Sequence, residues 1–156
     1  MNFIPHDYQA YAIRYIEKHP VAAVLLDMGL GKTVISLTAV FDLLFDSFEV
    51  SRVLVVAPLR VARDTWPAEI QKWSHLTGLT YAVAVGTAKE RRAALMQNAD
   101  ITIINRENLQ WLIDESGFLF EYDMVIIDEL SSFKNHKSKR FKSLMKVRPR
   151  LRRIIG

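Results

Sequence analysis

Cysteine is absent from the 156 residues, which excludes disulfides, a thiolate nucleophile and metal sites with cysteine ligands. Long hydrophobic runs are also missing, because no apolar stretch approaches the ~20 residues that span a bilayer. The chain does not begin with a basic stretch followed by a long apolar segment, so the sequence shows no sign of a secretory signal. These absences predict no membrane partner and a cytoplasmic location, or a nuclear one if the source is eukaryotic. With 50% hydrophobic and 24% charged residues, the balance is typical of one globular domain.

Acidic side chains are missing from the C-terminal part of the chain. Residues 1–133 contain 11 basic and all 17 acidic side chains, whereas residues 134–156 contain 10 basic ones. Such an asymmetry predicts an anionic partner for the C-terminal part. The alternative is a solvated basic face whose acidic counterpart lies in another part of a longer protein.

Continuous apolar runs alternate with segments of helical periodicity. The runs predict strands at 21–26, 53–57, 81–85, 101–104, 124–127 and 153–155. The periodicity predicts helices at 7–19, 32–45, 61–73, 89–97, 107–114 and 138–145. Strands that are apolar throughout are buried on both faces. The sequence therefore predicts an α/β fold, with a mostly parallel sheet and helices on both faces. Ligands of such sheets bind beyond the carboxyl ends of the strands.

A glycine-rich loop follows the first predicted strand and precedes a helix, with the sequence Asp27-Met28-Gly29-Leu30-Gly31-Lys32-Thr33. Glycines allow backbone N–H groups to approach phosphate oxygens closely. Lys32 is placed to reach the β- and γ-phosphates of a nucleotide, and the Thr33 hydroxyl is a natural Mg²⁺ ligand. The strict phosphate-loop pattern requires glycine where this chain has Leu26. The alternative is a strand-to-helix turn with a lysine by chance.

An apolar strand at 124–127 ends in two adjacent carboxylates, Asp128 and Glu129. Mg²⁺ takes hard oxygen ligands and accepts only one or two from protein. Asp128 is therefore the candidate Mg²⁺ ligand, partly through water, and Glu129 the candidate base for the attacking water. ATP hydrolysis by phosphate-loop enzymes uses this set of parts. The alternative is an ordinary acidic turn after a strand.

With these motifs in place, the sequence resembles the Snf-type (SWI/SNF-like) family of duplex-DNA translocases in helicase superfamily two. The phosphate loop resembles the family's motif I, and Asp128-Glu129-Leu130-Ser131-Ser132-Phe133-Lys134-Asn135 resembles motif II, from which Leu130 and Ser131 depart. Ala57-Pro58-Leu59 is similar to motif Ia, and Asn105-Arg106-Glu107 more weakly to motif Ib. Tyr8-Gln9 resembles the Q motif, and a glutamine amide matches the donor and acceptor of the adenine edge.

The resemblance implies the first RecA-like, ATP-binding domain of a motor that moves on double-stranded DNA. Gln9 is the candidate adenine reader, beside Met28, Gly29, Leu30, Gly31, Lys32 and Thr33 around the phosphates. The family's arginine finger belongs to a second RecA-like domain, the expected partner, which this sequence does not contain. We therefore expect the isolated chain to hydrolyse ATP very slowly.

Several cations are candidate contacts for DNA phosphates. Arg60, Arg63 and Arg106 follow the predicted strands that carry motifs Ia and Ib. In the last predicted helix, Phe141, Leu144 and Met145 share an apolar face, which leaves Lys139, Lys142 and Lys146 largely on the other side. Phosphate contacts position a duplex without reading its sequence. The alternative for each is an ordinary surface cation.

Other functions remain compatible with these motifs. One is a non-catalytic nucleotide- or DNA-binding scaffold. This function is disfavoured because a non-catalytic domain would not need all four of Lys32, Thr33, Asp128 and Glu129. Another is the motor subunit of a restriction or repair complex. The short segment before the first helix is typical of compact prokaryotic or viral motors. Trp66, Trp73 and Trp111 have the spacing of core residues, which favours packing over base stacking.

Overall fold

The computed structural model describes residues 1–22, 31–128 and 139–156. Its strands are β1 (Val21–Ala22), β2 (Val53–Ala57), β3 (Tyr81–Ala84), β4 (Ile101–Asn105), β5 (Met124–Ile127) and β6 (Arg153–Ile155). Its α-helices are α1 (Asp7–Lys18), α2 (Lys32–Phe45), α3 (Trp66–Lys72), α4 (Ala88–Leu95) and α5 (Lys139–Val147). Within these ranges, no helix combines the length and hydropathy needed to cross a membrane.

The six strands form one sheet, in the order β1-β6-β5-β2-β4-β3, and every pair of neighbours is parallel. β2 lies near the centre, where Val53 is level with Ile101 of β4 and with Met124 of β5. Parallel neighbours require crossover connections, which carry the helices over the faces of the sheet. The prediction of an α/β fold around a parallel sheet is confirmed.

Side chains of β2 alternate between two buried clusters, one on each face of the sheet. Val53, Val55 and Ala57 belong to the first cluster, and Leu54 and Val56 belong to the second. Residues of α1, α2 and α3 pack in the first cluster, whereas residues of α4 and α5 pack in the second. Because both faces are covered, the central strands are apolar at every position instead of alternating with polar residues.

The predicted boundaries of β2, β5, β6 and α2 agree with the structure. The strand predicted at 21–26 begins at Val21, but its residues after Ala22 lie outside the described part of the chain. α4 is shorter than predicted because the chain leaves the helix at Met96, and Asn98 then has a left-handed backbone with φ of 52°.

The single helix predicted at 61–73 consists of two segments. A π-helical turn at Val61–Thr65 precedes α3, and the N–H of Trp66 donates to the carbonyl of Val61, five residues earlier. Pro67 has no N–H and lies in the first turn of α3. Since the proline offers no bond to the carbonyl four residues before it, the hydrogen-bond spacing changes here, while the backbone at Thr65 and Trp66 stays helical.

The helix predicted at 107–114 is present, but its hydrogen bonds are not α-helical throughout. The structure has a 3₁₀ turn at Arg106–Asn108 and a π-helical turn at Trp111–Glu115. The Ser116 hydroxyl donates to the carbonyl of Leu112 at 2.6 Å, and the Ser116 N–H donates to Trp111, five residues earlier. The serine side chain thus takes the acceptor that an α-helical N–H would use.

The apolar face of α5 is rotated from its predicted position. Ser143, Leu144 and Val147 are buried, whereas Met145 is 48% exposed. The Ser143 hydroxyl donates to a carboxylate oxygen of Asp114 at 2.9 Å, so a polar contact fixes which side of the helix meets the domain. The expectation that Met145 shares the docked face is therefore wrong.

One cation of the basic C-terminal part is an internal structural residue. The Arg153 guanidinium donates to the carbonyl oxygens of Ile16 and Glu17, each at 2.9 Å, and to a carboxylate oxygen of Glu49 at 3.1 Å. Its side chain is only 8% exposed. Arg153 therefore caps the C-terminal end of α1 from β6 and has no surface role.

We expect Arg153→Ala to lower the free energy of unfolding by about 2–4 kcal/mol, because two carbonyls and one carboxylate lose a charged donor. Arg152→Ala is the matched control, since the Arg152 side chain is exposed, and its effect should stay within about 0.5 kcal/mol. Urea unfolding of both variants measures the difference. Equal losses would show that Arg153 contributes no more than a surface arginine.

Carboxylates crowd the interface between α1 and α2. Burial, a hydrogen bond with Asp42 and the negative charges of Asp42 and Asp46 raise the pKa of Glu17 from 4.5 to about 8, against the opposing effect of Arg153. The folded chain therefore binds this proton more tightly than the unfolded chain does.

The free energy of unfolding should consequently fall as the pH rises from about 4.5 to about 8, where Glu17 loses its proton in the folded state. Glu17→Gln cannot titrate, so this variant should lose that part of the pH dependence and melt at a higher temperature than the unchanged chain at pH 8. Melting curves at about pH 5 and pH 8 test this, with exposed Glu115→Gln as control. If the stability of the Glu17→Gln variant falls between pH 5 and pH 8 as much as that of the unchanged chain, the raised pKa of Glu17 is contradicted.

Candidate functional site

Two candidate residues lie after strands that end at the same edge of the sheet. Because the strands are parallel, the carboxyl ends of β1 and β5 share one edge, with β6 between them. α2 begins at Lys32 on the chain that leaves β1, and Asp128 directly follows β5. The N–H of Asp128 donates to the carbonyl of Val56 at 2.8 Å. The central strand thus holds this aspartate at the edge.

Gly31 precedes α2 in a left-handed conformation, with φ of +76°. A Cβ at this position would lie 2.6 Å from the Nε2 of Gln9 and 3.3 Å from a methyl group of Val34. The backbone conformation therefore favours glycine, and any side chain here would have to displace the Gln9 amide. Among the described residues, no side chain caps the start of α2, so its first N–H groups are open to an anion.

Gln9 is the residue that the fold brings against Gly31. Its side chain lies in the first turn of α1 and the residue is only 6% exposed. The amide oxygen accepts a hydrogen bond from the N–H of His6 at 2.9 Å, which orients the amide. The contact between the proposed adenine reader and the glycine-rich loop is present, and the adenine role stays a prediction.

Asp128 has a specific partner on a different element. One of its carboxylate oxygens accepts a hydrogen bond from the indole Nε1–H of Trp66 at 3.1 Å. Trp66 is 2% exposed and opens α3, whereas Asp128 is half-buried. The second carboxylate oxygen makes no hydrogen bond to another described residue, which leaves it available to a metal-bound water.

The remaining nucleotide candidates are only partly described. Lys32 has an exposed side chain in the first turn of α2, and Thr33 is half-buried beside it. Met28, Gly29, Leu30 and Glu129 lie outside the described residues. The Thr33 hydroxyl and the Asp128 carboxylate are hard oxygen donors, which suit Mg²⁺. Within the described ranges, no three His, Asp or Glu side chains gather as a metal site, and Mg²⁺ bound to a nucleotide does not need such a cage.

The arginines predicted to contact DNA differ in their surroundings. Arg60 is exposed. Arg63 forms two 3.0 Å hydrogen bonds with the carboxylate of Asp64, and these bonds lower the pKa of Asp64. Arg106 lies 3.4 Å from the carboxylate of Glu107. An exposed pair between adjacent residues is weak, so Arg63 can exchange its partner for a phosphate, whereas Arg106 is half-buried.

The three lysines of α5 are not equivalent. Lys139 and Lys142 are exposed, whereas the Lys146 ammonium lies 2.8 Å from a carboxylate oxygen of Asp114. Hydrogen bonds from Lys146 and Ser143 lower the pKa of Asp114. Lys146 therefore helps to attach α5 to the domain, and Lys139 and Lys142 are the better candidates for an outside partner.

Trp66 is buried, as the spacing of core residues predicts. Trp73 and Trp111 are only half-buried. The Arg91 guanidinium lies 4.3 Å from the ring centre of Trp111, so this ring is partly covered. The hydrogen bond from Trp66 to Asp128 was not predicted from the sequence. The available signal was that a buried indole N–H needs an acceptor.

Comparison with known proteins gives three relationships by sequence and one by fold. A family model described as the SNF2-related domain matches residues 11–156. "Putative protein p41" of Acyrthosiphon pisum secondary endosymbiont phage 1 is 39% identical over 151 residues, which cover 94% of this chain and 33% of that protein. "Nuclear protein STH1/NPS1" of Saccharomyces cerevisiae is 29% identical over 119 residues, which cover 72% of this chain and 8% of that protein.

The fold is similar to the solved structure "Sulfolobus solfataricus SWI2/SNF2 ATPase core in complex with dsDNA", with a TM-score of 0.77 at 24% identity over 99% of this chain. This similarity confirms the RecA-like fold. The chain spans about a third of the length of the phage protein (33%) and of that solved chain (32%). Because the family model covers nearly all of the sequence, the chain belongs to the SNF2-related domain family.

Proposed function

We propose that this chain is the ATP-binding half of an ATP-dependent DNA translocase, with its nucleotide site at the carboxyl edge of the sheet. The observation that carries the proposal is the start of α2, where left-handed Gly31 lies against buried Gln9. The same edge carries Asp128. Uncapped N–H groups at a helix start suit phosphate, and the nearby carboxylate suits the metal that accompanies it.

Each candidate residue has a defined role in this proposal. Gln9 contacts adenine, Lys32 neutralises the outer phosphates, and Thr33 and Asp128 hold the metal. Glu129 accepts the proton of the attacking water. Bound Mg²⁺ would supply charge neutralisation at the phosphates. The residues of this chain bind and orient the nucleotide.

Double-stranded DNA is the proposed second ligand. The solved relative of similar fold is a complex with dsDNA by its title, and exposed cations are present on this chain after β2 and along α5. We also propose that turnover requires a second RecA-like domain that supplies an arginine finger, so the isolated chain should hydrolyse ATP very slowly. A cytoplasmic location would give a prokaryotic or phage motor access to its DNA.

Lys32→Ala should weaken binding of Mg²⁺·ADP by about 1.5–3 kcal/mol, because it removes a cation that faces phosphate oxygens. The loss corresponds to roughly a 10- to 150-fold higher Kd. Calorimetric titration measures it. Lys89→Ala is the control, since exposed Lys89 lies on the helix after β3, at the other end of the sheet from β1. Equal affinity of the Lys32→Ala variant and the unchanged chain would refute the nucleotide site.

If α5 faces DNA phosphates, duplex affinity should fall linearly with the logarithm of salt concentration and be similar for unrelated sequences. Lys139→Glu/Lys142→Glu should reduce the salt slope by ~0.9 for each contact that is lost. A salt titration of fluorescent duplex binding measures the slope.

Arg14→Glu/Lys18→Glu is the charge-matched control for that titration. Both residues are exposed on α1, which covers the opposite face of the sheet from α5. The control variant should keep the slope of the unchanged chain. If the α5 variant also keeps it, these lysines do not contact DNA, and acidic groups of a second domain become their better partner.

A further inference from the structure

Trp66 joins two parts of the molecule that are distant in sequence. Its indole N–H donates to Asp128, 62 residues later, at 3.1 Å. The ring itself lies in the first buried cluster, with 2% of the residue exposed. A rigid, buried ring cannot follow a mobile carboxylate, so the ring fixes the carboxylate and not the reverse.

The backbone around both residues makes this hydrogen bond well defined. Trp66 follows the π-helical turn at Val61–Thr65, and its own N–H donates back to Val61. Asp128 is held by the bond from its N–H to Val56 at 2.8 Å. β2 leads into the turn before Trp66 and also pairs with β5, which precedes Asp128. The positions of Trp66 and Asp128 are therefore both set by β2.

A carboxylate with one oxygen engaged by a fixed donor has a defined plane. The aspartate side chain otherwise rotates about its terminal bond with little preference between orientations. With one oxygen engaged by the indole N–H, the other oxygen has a fixed direction. The indole is a neutral donor, so it leaves the negative charge of Asp128 in place for a cation.

We propose that Trp66 is a positioning residue, which orients the Asp128 carboxylate toward the Mg²⁺ of a bound nucleotide. The inference rests on the proposed nucleotide site and assigns to Trp66 a role beyond core packing. It implies that the indole N–H, and not only the ring, matters for metal-linked binding.

Trp73 provides a matched comparison within the same helical region. Its indole N–H also donates to a carboxylate, that of Glu69, but this partner lies four residues away along the chain. Trp66→Phe and Trp73→Phe therefore each remove one indole donor to a carboxylate and keep an aromatic ring. Only the first removal affects Asp128.

The test measures ADP affinity by calorimetry, once with Mg²⁺ and once with EDTA, for the unchanged chain and both variants. We expect Trp66→Phe to reduce the Mg²⁺-linked gain in affinity by about 3- to 10-fold, the net size of one ordinary hydrogen bond. Its affinity in EDTA should stay unchanged, and Trp73→Phe should keep both values. A Trp66→Phe variant with the full Mg²⁺-linked gain would overturn the inference.

A second measurement avoids any loss of folding in the Trp66→Phe variant. In the unchanged chain labelled with ¹⁵N, adding Mg²⁺ to the ADP-bound protein should shift the indole resonance of Trp66, and those of Trp73 and Trp111 should stay in place. Trp73→Phe and Trp111→Phe assign the resonances by the signal that each removes. An unmoved Trp66 resonance overturns the inference alone, whereas a lack of ADP binding by the unchanged chain overturns the proposed function with it.

Discussion

The parallel pairing of β2 with β5 is the constraint on which the candidate site depends. Four residue pairs, from Val53–Met124 to Val56–Ile127, set the register, and the hydrogen bond from Asp128 to Val56 continues it beyond the strand. Both strands therefore end level with each other at the same edge of the sheet. The chain leaving β2 then turns through Val61–Thr65 and delivers Trp66 beside the aspartate. A shift of one residue in this register would turn the side chains of β5 to the opposite face.

Much of this architecture could be predicted from the sequence, because the signals that define strands and helices are local. Uninterrupted apolar runs identified β2 and β5, and the 3.6-residue periodicity identified α2. Gln9 was predicted as a nucleotide contact from motif resemblance and not from periodicity. Its contact with Gly31 was not predicted, since the two residues belong to elements separated by β1. Strand order depends on which apolar surfaces meet, and no local pattern contains that information.

Deviations from the prediction occur where a side chain competes with a regular backbone bond. Pro67 removes a donor, and the Ser116 hydroxyl occupies an acceptor, so each converts an expected α-helix into another form. Ser143 rotates α5 by bonding to Asp114. Arg153 belonged to an apparent basic surface, yet its partners are Ile16 and Glu17, 137 and 136 residues earlier. Interactions over such separations depend on the finished fold.

The position of β1 has a consequence for biosynthesis. In the described part of the sheet, β1 lies at an edge and pairs only with β6, through Val21–Ile154 and Ala22–Ile155. A ribosome makes about 5–20 residues per second, so β1 is made roughly 7 to 26 seconds before its neighbour β6 exists. During that interval, the polypeptide already contains β2 to β5, and the insertion of β6 between β5 and β1 is the event that closes the gap in the sheet. The described sheet can therefore be completed only after β6, its last strand in the sequence, has been made and has paired with β1.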